Sequence, residues 1–162
     1  MSYVDMIVQV VSAFFAILAF SYMINVPKGF RRYCGIEGAI GWLVYLLFLE
    51  GWGVVMANFF GTMAIALLAH IFARVMKAPV TVFLIPGILI LVPGGGLFRA
   101  AYQLFLGTWE MAKNYLMTAF QIAGMIALAI FITDSVFNIV NQKIAEREEE
   151  KQEKEAEERA KM

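Results

Sequence analysis

Long uncharged runs of apolar residues dominate the first 142 positions, separated by short polar or glycine- and proline-containing breaks. Residues 6–26 contain no charge, and residues 52–73 contain none unless His70 is protonated. Residues 116–140 carry a single charge, Asp134, while the shorter run 35–49 carries Glu37 near its start. A further run, 79–92, is interrupted by Pro86-Gly87. A helix that crosses a bilayer needs roughly 20 apolar residues. The pattern therefore predicts an all-α integral membrane protein with about five transmembrane helices, the fourth of them broken.

Composition sharpens this picture. Of 162 residues, 61% are hydrophobic and 16% charged, and the mean hydropathy is +0.73, far from the half-apolar, quarter-charged balance of a soluble domain. The net charge of zero conceals a division: residues 143–162 hold six Lys/Arg and eight Glu, leaving seven basic and five acidic groups for everything before them. Residues 1–142 read as a transmembrane domain and 143–162 as a charged cytosolic tail. The tail is rich in helix formers and has three favourable i,i+4 pairs, Glu150 with Lys154, Glu155 with Arg159 and Glu157 with Lys161. It reads as a solvated helix, with docking to a partner as the alternative.

Lys and Arg concentrate on the cytoplasmic side of membrane proteins. Lys28, Arg31 and Arg32 follow the first run, Arg74 and Lys77 the third, Lys143 and Arg147 the last. They share one side only if the amino terminus faces out and the carboxyl terminus in, which requires an odd number of crossings. Arg99 and Lys113 are then left towards the outer side. No basic residue precedes the first run, so it reads as a retained helix and not a cleavable signal peptide. Residues 94–112, with Arg99, Gln103 and Glu110, are too polar for a lipid-facing span and too apolar for a plain loop. They are expected to lie at the interface or to re-enter the membrane.

The chemistry-bearing stretch is 79–96, PVTVFLIPGILILVPGGG. Pro86 removes a backbone donor and Gly87 relaxes the chain, so a helix must kink or break there. Pro93 followed by Gly94, Gly95 and Gly96 interrupts it again. Unsatisfied backbone at membrane depth is tolerated only inside protein or beside a water-filled cavity, and broken helices are where secondary transporters bind substrate. A helix starting near residues 95–97 would present free N–H groups and a positive dipole end to an anion. Arg99 in its first turns could grip a carboxylate bidentately, with Tyr102 and Gln103 offering hydrogen bonds one turn later. The competing readings are a Pro-kinked helix ending in a glycine turn, and an Arg99 that simply snorkels to water. Asp134 lies roughly 9 Å inside the cytoplasmic end of the last run, deep enough to be costly unless it faces the bundle interior. It is the candidate for coupling transport to protons; otherwise it is a near-interface polar residue.

Other classes find little support. The chain lacks H-E-x-x-H, G-x-S-x-G and phosphate-loop signatures, so no catalytic residue is assigned and an enzyme is not expected. One His and one Cys, far apart, cannot build a metal cluster, and no cofactor is implied. His70 reads as an interfacial or hydrogen-bonded histidine before a proton relay, and Cys34, alone and therefore without a disulfide, as a buried filler. No basic, aromatic-interleaved surface is available for nucleic acid. Glycines at 35, 38, 41 and 61, with neighbouring alanines, permit close helix packing in lipid.

Two stretches, CGIEGAIGWLVYLL (34–47) and HIFARVMKAPVTVFLIPGILILVPGGGLFRAAYQLFLG (70–107), resemble the threonine/serine exporter family, most closely its small, separately encoded YjjB-type subunit. The resemblance covers roughly residues 25–140. Its most specific part runs from Arg74 through Lys77-Ala78-Pro79 to the Pro86-Gly87 and Pro93-Gly94 elements. It implies a bacterial inner-membrane carrier that works with a YjjP-like membrane subunit and exports threonine, serine or a dicarboxylate such as succinate. Where many relatives carry Pro and Tyr around the second Pro-Gly element, this chain has Ile90 and Phe98. The tail is no part of the family pattern. The rival expectation is a membrane scaffold or assembly subunit that transports nothing; a homo-oligomeric channel is a further one.

Overall fold

The computed structural model describes residues 3–161. The side chains of residues 144, 145 and 148–161 lie outside this description, and with them the three expected tail pairs. The described chain consists of helices α1 (Tyr3–Met23), α2 (Arg31–Met76), α3 (Thr81–Ile88), α4 (Gly94–Phe105) and α5 (Trp109–Lys161), with no strand. Three of them, α1, α2 and α5, are long and apolar enough to cross a membrane.

Helix α2 has 46 residues. As a straight rod it would be about 69 Å long, more than twice the roughly 30 Å of a bilayer core. It is instead a hairpin. Gly53 leaves the helical region at φ 74°, ψ 171°, a conformation glycine adopts without a Cβ penalty. The arms on either side fold back on each other. Phe48 stacks on Phe60 with centroids 4.2 Å apart, and Tyr33 meets Phe72 at 5.4 Å. The apolar runs 35–49 and 52–73 are thus the two arms of one continuous element.

Close approach of these arms depends on missing side chains. A methyl group on Gly41 would stand 2.3 Å from Ile65 Cγ1, and one on Gly61 would stand 3.1 Å from the Gly41 carbonyl oxygen. Gly35 and Gly38 do the same for α1, where Phe14 and Ile17 occupy the space a Cβ would need. Small residues replace the hydrophobic driving force that helices lack in lipid.

The fourth apolar run does not form a spanning helix. α3 has only eight residues, about 12 Å, and the chain then turns through Leu89–Pro93 before α4 begins at Gly94. Lys77, in the left-handed region at φ 52°, closes the end of α2, with Ala78 N–H also returning to the Ala73 carbonyl. Pro86, inside α3, leaves the Val82 carbonyl without its i+4 donor. The Cys34 thiol fills the gap, donating to Val82 O at 3.6 Å. α3 packs on α2 and α1, whereas α4 packs on α5 and, among the described residues, on no other helix. The turn therefore carries the chain from one side of the bundle to the other. The stretch 94–112 forms a helical hairpin, α4 and the first turn of α5, joined through Gly107 at φ 73° and Thr108, whose carbonyl receives Ala112 N–H. α5 consequently starts seven residues before the apolar run that announced it and continues unbroken past residue 142.

Unlike in a soluble protein, large apolar side chains cover the outside as well as filling the core, and a few polar ones are buried. Phe15, Phe98, Phe105, Phe120 and Phe131 are exposed, while Ser21, Glu37, Asn58, Thr62 and Thr133 are buried. An apolar exterior is what a bilayer solvates. The Tyr33–Phe72 contact and a hydrogen bond from Arg74 to Asn141 bring the basic groups after α1, after α2 and near residue 143 to one end of the bundle. Replacing Gly41 by Val should cost about 1–3 kcal/mol through overpacking and lower the thermal midpoint of the detergent-solubilised protein. Gly51→Ala, where a Cβ meets nothing within 4 Å, should leave it unchanged or slightly raised.

Candidate functional site

Because α4 is held by α5 alone, a cavity of about 530 Å³ remains between α4–α5 and the Gly53 end of α2. Trp42, Tyr45, Val54 and Asn58 line it from α2, residues 90–93 from the turn, Gly95, Gly96 and Arg99 from α4, and Tyr115, Thr118, Ala119 and Ile122 from α5. The volume falls within the roughly 300–1,000 Å³ usual for small-molecule sites.

The polar groups converge on one corner. The first N–H groups of a helix have no intrahelical partner. Gly94 N–H turns back to Val92 O and Leu97 N–H to Pro93 O, which leaves those of Gly95 and Gly96, both at the cavity wall. Arg99, one turn later, has no carboxylate partner among the described residues. Asn58 is buried and its amide is oriented by donation to Val54 O at 2.7 Å. Tyr45 is stacked on Trp42 at 4.7 Å. Two unused backbone donors at a helix N-terminus, a guanidinium and neutral hydrogen-bonding side chains in an otherwise apolar wall suit a small anion.

Of the residues singled out in the sequence, Pro93, Gly95, Gly96 and Arg99 meet at this cavity. Gly94 starts α4 but does not line it. Tyr102 is exposed, and Gln103 is engaged at the hairpin turn, where its carbonyl and its Oε1 both accept from the Thr108 hydroxyl. Pro86 and Gly87 lie in a different place, buried in the core against Glu37. The cavity residues that sequence reasoning missed, Tyr45, Asn58, Tyr115 and Thr118, sit on other helices and carry no local motif. Only the fold brings them to residues 93–99.

Asp134 occupies the opposite, basic end, where His70 Nε2–H donates to its Oδ1 at 2.6 Å. The imidazole also stacks on Phe137 with centroids 4.2 Å apart and planes 5° apart. Together with Arg74 and Asn141, this pair ties the second arm of α2 to α5. The carboxylate is 44% exposed and the imidazole 14%, so the pair is a clamp at the edge of the α2–α5 contact. His70 is thus a hydrogen-bonded histidine. Between clamp and cavity sits Glu37, fully buried. An acidic residue in an apolar run was its only signal, the same signal that drew attention to Asp134.

An apolar exterior on helices long enough to cross a bilayer, with a few polar side chains buried between them, defines an integral membrane protein of the helical-bundle type. Residues 9–136 match the family model described as Threonine/Serine exporter, ThrE, and the chain belongs to that family, a family of transporters and not an enzyme class. No curated protein and no solved structure matches the chain.

The clamp can be measured. In a double-mutant cycle of His70→Ala and Asp134→Ala, the coupling energy from thermal denaturation should be about 0.5–1.5 kcal/mol, reduced from a buried charge-assisted bond by solvent screening. Additive effects would show that the two side chains do not act together.

Proposed function

We propose that the chain is the membrane subunit of a secondary carrier that exports small carboxylates: threonine, serine or a dicarboxylate such as succinate. The observation that carries this reading is the cavity at the helix break, with Arg99 and the Gly95 and Gly96 N–H groups facing it. In the proposed mode the substrate carboxylate takes the α4 N-terminus and Arg99, while Asn58, Tyr45, Tyr115 and Thr118 bind the remaining polar groups. Pro93 holds the turn that exposes those N–H groups. Asp134, with His70, is the proposed site of proton coupling. Its position midway along α5, at the basic end of the bundle, would let protonation loosen the clamp between α2 and α5 while the cavity changes its exposure.

The proposed topology has five crossings: α1, the two arms of α2, α3 with α4 as one broken crossing, and α5. The gathering of the basic residues at one end supports an outward amino terminus and a cytoplasmic carboxyl terminus in a bacterial inner membrane. A YjjP-like partner is part of the reading, supported by the half-open cavity and by the single neighbour that holds α4.

The test is export from cells that make the chain together with a YjjP-like subunit. Losing a charge-assisted, bidentate contact costs about 1.5–3 kcal/mol, so Arg99→Ala should lower export by about 10- to 100-fold, and Arg99→Lys by less. Gly96→Leu, which fills the cavity, should also block export. If both Arg99→Ala and Gly96→Leu leave export intact at normal protein levels, the site assignment is wrong. Asp134→Asn should abolish proton-driven export while sparing counterflow exchange. A non-transporting scaffold makes the opposite prediction for access: a cysteine placed at Gly95 or Arg99 would not react with a water-soluble maleimide.

A further inference from the structure

Glu37 is 0% exposed, and neither carboxyl oxygen has a hydrogen-bond partner. It sits where α3 breaks: a methyl group on Gly87 would stand 2.9 Å from Glu37 Oε1 and 3.1 Å from its Cδ. The neighbouring elements bring no charge. α1 contributes Ile17 at the adjacent Gly38 and Ser21, whose hydroxyl is already bonded to Ile17 O. The second arm of α2 contributes Ile65, and α3 contributes Pro86 and Gly87. Among the described residues, the ionisable group in electrostatic contact with Glu37 is the Cys34 thiol, one turn earlier on the same arm.

An isolated carboxylate without a cation or donor in such surroundings is strongly disfavoured. A neutral acid that lacks an acceptor carries the smaller penalty. A metal ion is no alternative occupant. Sodium- or calcium-like cations need several oxygen ligands, and the Gly87 backbone closes on the carboxyl where they would have to stand. No cluster of three potential ligands exists among the described residues. The remaining ligand that needs no cage is a proton.

We propose that Glu37 is a proton-binding site, separate from Asp134, whose protonated form seats the Pro86–Gly87 break of α3 on α2 and whose deprotonation unseats it. The physical link is steric as well as electrostatic. Glycine at 87 lets the backbone rest on the neutral carboxyl, and a charged carboxylate must draw in water, for which the closed packing has no room. α3 continues directly into residues 90–93 of the cavity wall, so its displacement would reshape the cavity. The site is defined without reference to the transported solute and stands or falls apart from the substrate assignment.

Two readouts on the full-length protein reconstituted in lipid test this. Infrared difference spectra across a pH titration should contain a protonated carboxylic-acid band that disappears as pH rises and is missing in Glu37→Gln. Cys34 provides the second readout, because it is buried with its thiol on Val82 O of α3. Its alkylation by N-ethylmaleimide reports α3 leaving α2. The wild-type rate divided by the Glu37→Gln rate removes the pH dependence the two proteins share, and repulsion between an ionised Glu37 and the Cys34 thiolate works against any rise in that ratio. Once the site begins to lose its proton this ratio should rise by up to about tenfold per pH unit, the limit for a single proton. If Glu37→Gln does not accumulate, the wild-type rate is divided by that of the same protein unfolded in detergent. A spectrum without the band, a band unchanged in Glu37→Gln, or a ratio that stays flat with pH would each overturn the proposal.

Discussion

The bundle depends on one interlock: the side chain of Ile65 seated in a notch between two glycines of other segments. Its Cγ1 lies where a Gly41 methyl would be, and its Cγ2 lies 2.8 Å from where a Gly87 methyl would be. Ile65 thus joins the first arm of α2, the second arm and α3 at one point, and Leu91 closes the same seam against Gly61. Attraction between apolar helices in lipid rests on contact density, since lipid tails are as apolar as leucine. A β-branched knob with few rotamers in a backbone-walled hole is an efficient source of it.

From that interlock the molecule divides along its length. At the basic end, aromatic stacking and the His70–Asp134 bond make α2 and α5 adhere. At the Gly53 end, contact between α2 and α4 lapses and the cavity opens. Proline and glycine serve opposite purposes in the two parts of the break. Around residue 86 the orphaned carbonyl is absorbed by Cys34 in a tight interior. Around residue 94 the orphaned donors face open volume. The reason is the partner helix: α3 lies on the glycine-rich seam of α2, and α4 has only α5 behind it.

Much of this was legible in the residues and some was not, for physical reasons. Apolar length identifies membrane-competent helices because it reflects transfer energy summed over a whole segment, so the runs at 52–73 and 116–140 fall inside long helices and all but the last three residues of 6–26 do. Helix ends are set by single hydrogen bonds, and hydropathy is blind to them. Thr108 therefore starts α5 well before the apolar run, and the run 79–92 yields just two turns of helix. Arg99 and the glycines at 94–96 stood out as anomalies in an apolar context. Asn58 and Tyr115 did not, since a single polar residue in a helix acquires meaning only from what it faces. Glu37 stands out only as an acidic residue in an apolar run: nothing in its flanking sequence reveals that Gly87, fifty residues on, closes over it.

Helix α5 runs from Trp109 to Lys161 without a proline, about 80 Å at the rise of an α-helix. Its first half is cavity wall, its middle bears the clamp, and its far end is the charged tail. These three are one beam, so they cannot be displaced independently without bending or breaking a continuous ladder of backbone bonds. Bending the tail away from Tyr115 and Thr118 would have to stretch or break hydrogen bonds of that single ladder.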